Sequence, residues 1–414
     1  MNKTEILDYL YGLQFTGIKL GLMNIRNLLN YCKIDYNKLK YIHIAGTNGK
    51  GSTANMLNQI YVMSGYKTAL FTSPHITDFN ERIKVNNQMI SDDDLARLTL
   101  ELKEGIDLFK CTFFEATTAI AIKYYIEKKV DIVLFEVGLG GRLDSTNIVT
   151  PLASLITGID FDHMGMLGYS LIEIAREKAG IIKNKVPVIY NDNRKYIRKF
   201  FQSKAVANGS EYIDANKKRI YFKDGFVGFY FKCKYFRSGF NLAGSYQLYN
   251  LRTVISTIEK LNYILPVNES GLRNALHTVK VKGRMETVSE NPRIIIDAAH
   301  NKQGLENLVK EVRFLNFKRL FLLAGILKDK DYKEYLKIMT KISKKVIIFP
   351  PNHERALDIE RVRTYIYSVG YRGFDIHTSV DSGFAQILGD YKDGDLILVT
   401  GSHFVLSDFL NLLK

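Results

Sequence analysis

The chain has 414 residues, too many for one ordinary core, and its hydrophobic share of 46% and charged share of 24% are those of globular proteins. No apolar run approaches the roughly 18 residues of a membrane span, and Cys32, Cys111 and Cys233 are odd in number and far apart, which argues against a disulfide scaffold and a thiolate zinc site. The net charge of +15 comes from Lys and Arg spread along the chain, so it reads as composition, and a soluble cytoplasmic protein with no nucleic-acid or membrane partner is expected.

In chain order, "YIHIAG" predicts a strand, and a helix follows from Ser52. "KTALFTSPH" predicts a second strand. "TFFEATTAIAIKYYIEKK" carries apolar residues at helical spacing. "DIVLFEVGLGG" is a buried strand, apolar until Glu136, and "LASLITGIDFDHMG" is another. "LIEIAREKAGIIK" predicts a helix and "VPVIY" a strand. Alternation of this kind implies a mostly parallel sheet covered on both faces. Around residues 210–242 the pattern becomes antiparallel: "RIYFKDGFVGFYFKCKY" alternates about Asp224-Gly225, a hairpin signal. A helix, "SYQLYNLRTVISTIEKL", comes next. The polar, Lys-rich "HTVKVKGRMETVSENPR" reads as a junction. A second α/β series then runs through "RIIIDAAHN", "RLFLLAGILKDKD", "KVIIFPPNHERA" and "DLILVTGSHF". The expected architecture is a P-loop-type ATPase domain over residues 1–282, mostly parallel with a small antiparallel element. A junction at 283–292 leads to a smaller, doubly wound, Rossmann-like α/β domain at 293–414.

Open parallel sheets bind ligands beyond the carboxyl ends of their strands. In the first domain those ends carry "GTNGKGS", "TSPH", "FEVGLGG" and "GIDFDHMG". Three glycines with Lys50, between a strand and a helix, suit phosphate: backbone N–H groups turn inward and the helix dipole favours an anion. The spacing departs from the common loop, because Ile44 stands at the first Gly and Gly51 follows the Lys. Nucleotide phosphates bring Mg²⁺, which takes hard oxygen ligands. Ser73 and Glu136 are candidates, and His163 could add an imidazole. The alternative for Glu136 is an ion pair with Arg142, and for His163 a surface or capping role. Lys178, beside Glu173 and Glu177, reads as part of a charged helix face.

Together, "GTNGKGS", "TSPHITDFNERI", "FEVGLGGRLDSTN", "DHMGMLG", "REKAGIIK", "DAAHN", "AGILKDKDY" and "TGSHF" resemble the folylpolyglutamate synthase and dihydrofolate synthase family of Mur-type ATP-dependent ligases. They span Thr47 to Phe404 in the family's order. The resemblance implies that ATP phosphorylates a carboxylate and that the amine of L-glutamate displaces phosphate, on a folate or dihydropteroate. It implies nucleotide contacts from Thr47, Asn48, Gly49, Lys50, Gly51, Ser52, Asn250, Arg284 and Asp297. It implies magnesium positions at Ser73, Glu136 and His163, and a carbamylated Lys178. Lys50, Lys178, Arg284 and His300 take catalytic places, and His300 and Ser402 lie near the glutamate site. Leu22, Arg82, Thr112, Phe113, Phe114, Glu115 and Leu143 match substrate positions, although Phe113 and Phe114 suit a core role equally. Ala298, Lys302 and His403 depart from the family pattern.

Two other readings exist. A cell-wall Mur ligase would carry a separate domain ahead of the loop, and few residues precede Gly46. A non-catalytic nucleotide- or nucleic-acid-binding protein would leave Glu136, His163 and Lys178 without a purpose. A monomer is expected.

Overall fold

The computed structural model describes residues 3–13, 21–328, 330–343, 345–371 and 373–414, so Asp329 of "AGILKDKDY" lies outside the described residues. The chain divides into two compact units. One holds residues 1–75, 80–241 and 247–280. The other holds residues 76–79, 242–246 and 281–414.

The first unit is built on an eight-stranded sheet of β1 (Tyr41–Ala45), β2 (Thr68–Phe71), β3 (Ile83–Val85), β4 (Gln88–Met89), β5 (Ile132–Glu136), β6 (Ala153–Ile156), β7 (Val188–Tyr190) and β8 (Tyr212–Asp214), in the order β4-β3-β2-β5-β1-β6-β7-β8. β2, β5, β1, β6, β7 and β8 run parallel, and the β3–β4 hairpin adds an antiparallel edge. The central strands β1, β2, β5 and β6 are buried along their whole length, as expected of strands covered on both faces. Strands of later sequence join β1 on both of its sides, so three chain ends meet at one edge: those after β1, β5 and β6. Ligands sit at such a reversal of strand order. On one face Ile174 and Ala175, on the helix Leu171–Ala179, and Ile197 and Phe201, on Lys195–Ala207, enclose Ile156, Val188 and Tyr190.

The antiparallel element has three strands, β9 (Tyr221–Lys223), β10 (Phe226–Phe231) and β11 (Lys234–Gly239), ordered β11-β10-β9. Asp224 and Gly225, with φ of 51° and 78°, make the expected left-handed two-residue turn. A second such turn uses Lys232 and Cys233, at 49° and 63°. Neither is a residue that favours positive φ, so the third strand carries no turn signal.

The second unit holds a six-stranded sheet of β12 (Glu286–Glu290), β13 (Arg293–Asp297), β14 (Leu320–Ala324), β15 (Lys345–Ile348), β16 (Phe374–Ile376) and β17 (Leu396–Thr400), in the order β12-β13-β17-β14-β15-β16. All but β12 are parallel. Side chains alternate between two cores: Ile295, Leu322 and Val346 enter one, Ile294, Ile296, Leu323 and Ile347 the other. That alternation is the double winding expected from sequence. β12 lies inside the segment read as the junction, and β16 was not expected. β12 is polar, with no fully buried residue, and β16 has three half-buried residues, so neither has the apolar signature of a central strand.

Candidate active site

The loop after β1 is shaped by its glycines. Gly46 has φ of 150°, and a Cβ there would fall 2.0 Å from Thr157 Oγ1. Gly49 has φ of 87°, and its Cβ would meet Asn250 Oδ1 at 2.2 Å. The loop is therefore held close from two sides by β6 and by the helix Tyr246–Leu261. Thr157 Oγ1 donates to Asn48 O at 2.6 Å. Thr47 N donates to Gly158 O at 2.7 Å, and Thr47 Oγ1 accepts from Asp160 N at 2.9 Å. Asn250 Nδ2 donates to Gln247 Oε1, and Gln247 Nε2 to the buried Ser52 Oγ at 3.4 Å. Lys50 Nζ folds back onto Gly46 O at 3.0 Å and Thr47 O at 3.2 Å. The helix Lys50–Met63 starts with no side-chain cap on Gly49, leaving its first-turn N–H groups to the loop. A glycine cradle of this form fits a phosphate chain.

Glu136 ends β5 and is 3% exposed. Its Oε2 accepts from Ser73 N at 3.3 Å and stands 3.5 Å from where a Cβ of Gly51 would lie. Arg142 is not its partner: that guanidinium pairs with Glu177 at 3.0 Å on the surface. Glu136 is one of the negative groups that raise the pKa of the buried Arg82 against its desolvation. The carboxylate and Ser73 fit Mg²⁺, which takes one or two protein oxygens and completes its shell with water and phosphate. Among the described residues no cluster of three His, Cys, Asp or Glu forms a metal cage. His163 is exposed, left-handed at φ 49°, and 3.9 Å from Asp162 Oδ2. It precedes the short helix Met164–Leu167 without capping it through its side chain.

Lys178 overturns the expectation of a charged surface. It is 4% exposed, and Nζ donates to Gly46 O at 2.9 Å. Burial pushes its pKa down to about 7, and the nearby Lys50 adds to that, against the opposing pull of Asp162 and Asp144. Its helix is drawn in by Gly180 and Gly141, whose Cβ atoms would fall 2.4 Å from Arg142 and 3.0 Å from Glu177 O.

A second group surrounds Arg82. Burial lowers its pKa to about 10. Arg82 Nε donates to His75 Nδ1 at 2.8 Å, so the His75 proton sits on Nε2, toward the Tyr11 hydroxyl at 3.5 Å. The Phe113 ring lies 5.2 Å from the guanidinium and stacks on Tyr11 at 5.6 Å. Thr112 and Glu115 form a capping box that starts the helix Phe113–Glu127. Phe114 packs on Phe71, and Gly138 is a glycine where any Cβ would strike that ring. Leu143 is half-buried, and Leu22, also half-buried, sits at the start of the helix Met23–Tyr31.

In the second unit the named residues gather at the carboxyl ends of β13 and β17, which pair Asp297 with Thr400. Asp297 is buried, which raises its pKa, while Arg284 and the N–H groups of Met285 and Ala299 oppose the rise. His300 Nδ1 lies 2.9 Å from Ala298 O, which fixes the proton on Nδ1. Ser402 caps the helix His403–Leu412, accepting from Val405 N at 3.2 Å. The rings of His300 and His403 are 6.1 Å apart. Ala298, in place of the family's usual glycine, has no positive φ and is buried, so its Cβ is accommodated.

Thr157, Asp144 and Gln247 also shape the first site and were not selected from sequence. Asp144 accepts from Leu139 N at 2.9 Å and Thr146 N at 3.0 Å, and so fixes the Gly-rich turn after β5. The available signal was a polar residue directly after a buried strand or Gly-rich turn.

Two family descriptions match: the Mur ligase middle domain over residues 44–258 and the Mur ligase glutamate ligase domain over residues 283–403. The chain is 32% identical to the dihydrofolate synthase/folylpolyglutamate synthase of Bacillus subtilis, with 98% of each protein covered. The chain belongs to the folylpolyglutamate synthase/dihydrofolate synthase family of Mur ligases. Among solved members of that family, E. coli FolC in complex with DHPP and ADP aligns with a TM-score of 0.91 at 26% identity, over 100% of this chain and 98% of that one. The bifunctional enzyme of Yersinia pestis, complexed with AMPPNP and Mn ion, aligns at 0.87 and 25%, over 100% and 98%. No described helix is long and apolar enough to cross a membrane.

Proposed function

We propose that this protein is an ATP-dependent ligase that joins L-glutamate to a folate or dihydropteroate carboxylate. The observation that carries the reading is the glycine cradle with Glu136 beneath it, in a chain similar to such ligases over its full length. ATP phosphorylates the acceptor carboxylate, ADP leaves, and the glutamate amine then displaces phosphate to form the amide. The residues Thr47–Ser52 and Asn250 hold the phosphates, with Arg284 and Asp297 as further nucleotide contacts. Ser73, Glu136 and His163 hold Mg²⁺, whose chemistry is to offset charge on the transferred phosphoryl group. His300 and Ser402 serve the glutamate. Leu22, Arg82, Thr112, Phe113, Phe114, Glu115 and Leu143 serve the acceptor.

Lys178 acts as a carbamate. Its neutral amine adds to CO₂, forming an N–C bond and releasing one proton, and a buried cation becomes an anion with two oxygens. A pKa near 7 supports this, because the neutral amine is abundant at neutral pH. The protein works as a cytoplasmic monomer with small-molecule substrates.

The test supplies ATP, Mg²⁺ and L-glutamate with either dihydropteroate or a reduced folate, and follows ADP release and product mass. Acceptor-dependent ADP with a mass gain of one glutamyl residue is expected. Absence of both with either acceptor refutes the reading. Carbon-13 NMR in labelled bicarbonate tests the carbamate, and a carbamate signal lost in Lys178→Ala is expected.

A further inference from the structure

The antiparallel element and the helix Glu269–Thr278 flank an open cavity of about 390 Å³ within the first unit. Its lining includes Phe226, Arg237, Arg273, Asn274 and His277. Among the described residues no carboxylate lines it. Some exposed arginines of this protein meet acids, Arg97 with Asp94, Glu101 and Glu127 and Arg319 with Asp395, and others among the described residues, such as Arg313, do not. Among the described residues Arg237 and Arg273 have no such partner, although Glu269 stands one turn before Arg273 on the same helix.

The two guanidiniums are nonetheless held in place. Arg237 lies over the Phe226 ring at 4.6 Å, and Arg273 over Phe236 at 4.7 Å. Arg273 also donates to the Arg237 carbonyl. The buried Ser238 hydroxyl lies 3.2 Å from Arg273 O, tying the strand to the helix. Gly239 brings His277 against the strand: a Cβ there would fall 2.7 Å from Nδ1. Two exposed like charges are thus held over aromatic faces beside one cavity, with no carboxylate in its lining. The planar forks of arginine match carboxylate and phosphate oxygens in pairs.

We propose that this cavity is an accessory binding site for a small molecule bearing two anionic oxygen groups, either phosphates or the carboxylates of a γ-linked glutamate chain. Arg237 and Arg273 bind the two groups, Asn274 donates an amide N–H, and Phe226 forms the apolar wall. The site is separate from the glycine cradle; its γ-linked glutamate arm rests on the ligase reading and its phosphate arm does not.

Calorimetric titration of the full chain tests it, with Mg²⁺ and ADP saturating so that the nucleotide loop is filled. Pyrophosphate and γ-linked triglutamate are the two probes. One equivalent of at least one probe is expected to bind, with affinity reduced at least tenfold in Arg237→Gln/Arg273→Gln. Binding of pyrophosphate alone identifies phosphate as the ligand group, and binding of triglutamate alone identifies the carboxylate chain. Asn274→Asp, at an exposed helical position, places a carboxylate in the cavity without removing either arginine. It is expected to weaken binding similarly, and it carries the test if the double variant fails to fold. Turnover at saturating substrate is expected to stay at the unmodified level in both. No binding of either probe, or binding unaltered in the folded variants, overturns the proposal.

Discussion

Lys178→Met removes a buried amine and keeps its bulk, and its effect should depend on pH in a calculable way. In the folded protein the amine has a pKa of about 7, against 10.5 for an ordinary lysine. Between these values the unfolded chain binds the proton and the folded chain does not, so stability rises with pH across that window. Below about pH 7 both states are protonated, and the folded state bears the full penalty of a buried cation. With those two pKa values the linkage relation gives a gain of about 2 kcal/mol between pH 7 and pH 9 from this one group. The measurement is urea unfolding of wild type and variant at both pH values, in buffer stripped of CO₂ so that no carbamate forms. The other titrating groups are shared, so the difference between the two proteins isolates Lys178. Wild type should gain about 2 kcal/mol relative to the variant. Parallel pH dependences would show that Lys178 is not held neutral, and the physical basis for its carbamylation would fall with it.

Gly49→Ala forces a Cβ to 2.2 Å from Asn250 Oδ1 at φ 87°, and ADP affinity by calorimetry should drop at least about tenfold. Glu136→Gln keeps the shape but removes the charge beside Ser73, and turnover should fall by about a hundredfold or more, with the Mg²⁺ dependence moved to higher concentration. Thr112→Ala breaks the capping box of the helix Phe113–Glu127 and should cost about 1 kcal/mol in urea unfolding. A raised KM for the acceptor in the same variant would assign Thr112 a substrate contact, and an unchanged KM would confine it to the cap. Arg82→Lys retains charge but loses the planar contact to Phe113 and the Nε donor to His75, so acceptor KM should rise with kcat less affected.

What could be read from the chain alone followed periodicity and turn chemistry. The buried strands carrying the site are long apolar runs, and the Asp224-Gly225 turn announces its own geometry. Glu136 stood out because it ends such a run. Lys178 did not. Its helix is amphipathic, with Arg176 and Glu177 beside it, and only the close approach permitted by Gly141 and Gly180 buries the amine. That burial depends on two loops meeting a helix more than thirty residues away in sequence, which local pattern does not encode. Thr157 was missed for the same reason, since its role is to donate to a loop that precedes it by more than a hundred residues. β12, β16 and the Lys232-Cys233 turn were missed because edge strands and unusual turn residues lack the patterns that central elements display.

The spacing of the loop now has a physical reading. In the common phosphate loop the residue after Lys brings a hydroxyl to the metal. Here that residue is Gly51, and the position its Cβ would occupy is 3.5 Å from Glu136 Oε2. In the proposed reading the metal oxygen would come from the end of β5 instead of from the loop, and any longer side chain at 51 would occupy the space beside the carboxylate. The same loop turns its Gly46 carbonyl to two amines, Lys50 at 3.0 Å and Lys178 at 2.9 Å. Burial above all, and then the charge of Lys50 on the same carbonyl oxygen, lower the pKa of Lys178 to about 7. Beneath Lys50 lie the Glu136 carboxylate and the buried Lys178, whose lowered pKa favours the neutral amine from which the proposed carbamate forms. A phosphate entering the cradle would meet Lys50 from the loop, and Glu136 beneath it is the carboxylate that would hold Mg²⁺, whose charge would offset that of the phosphate.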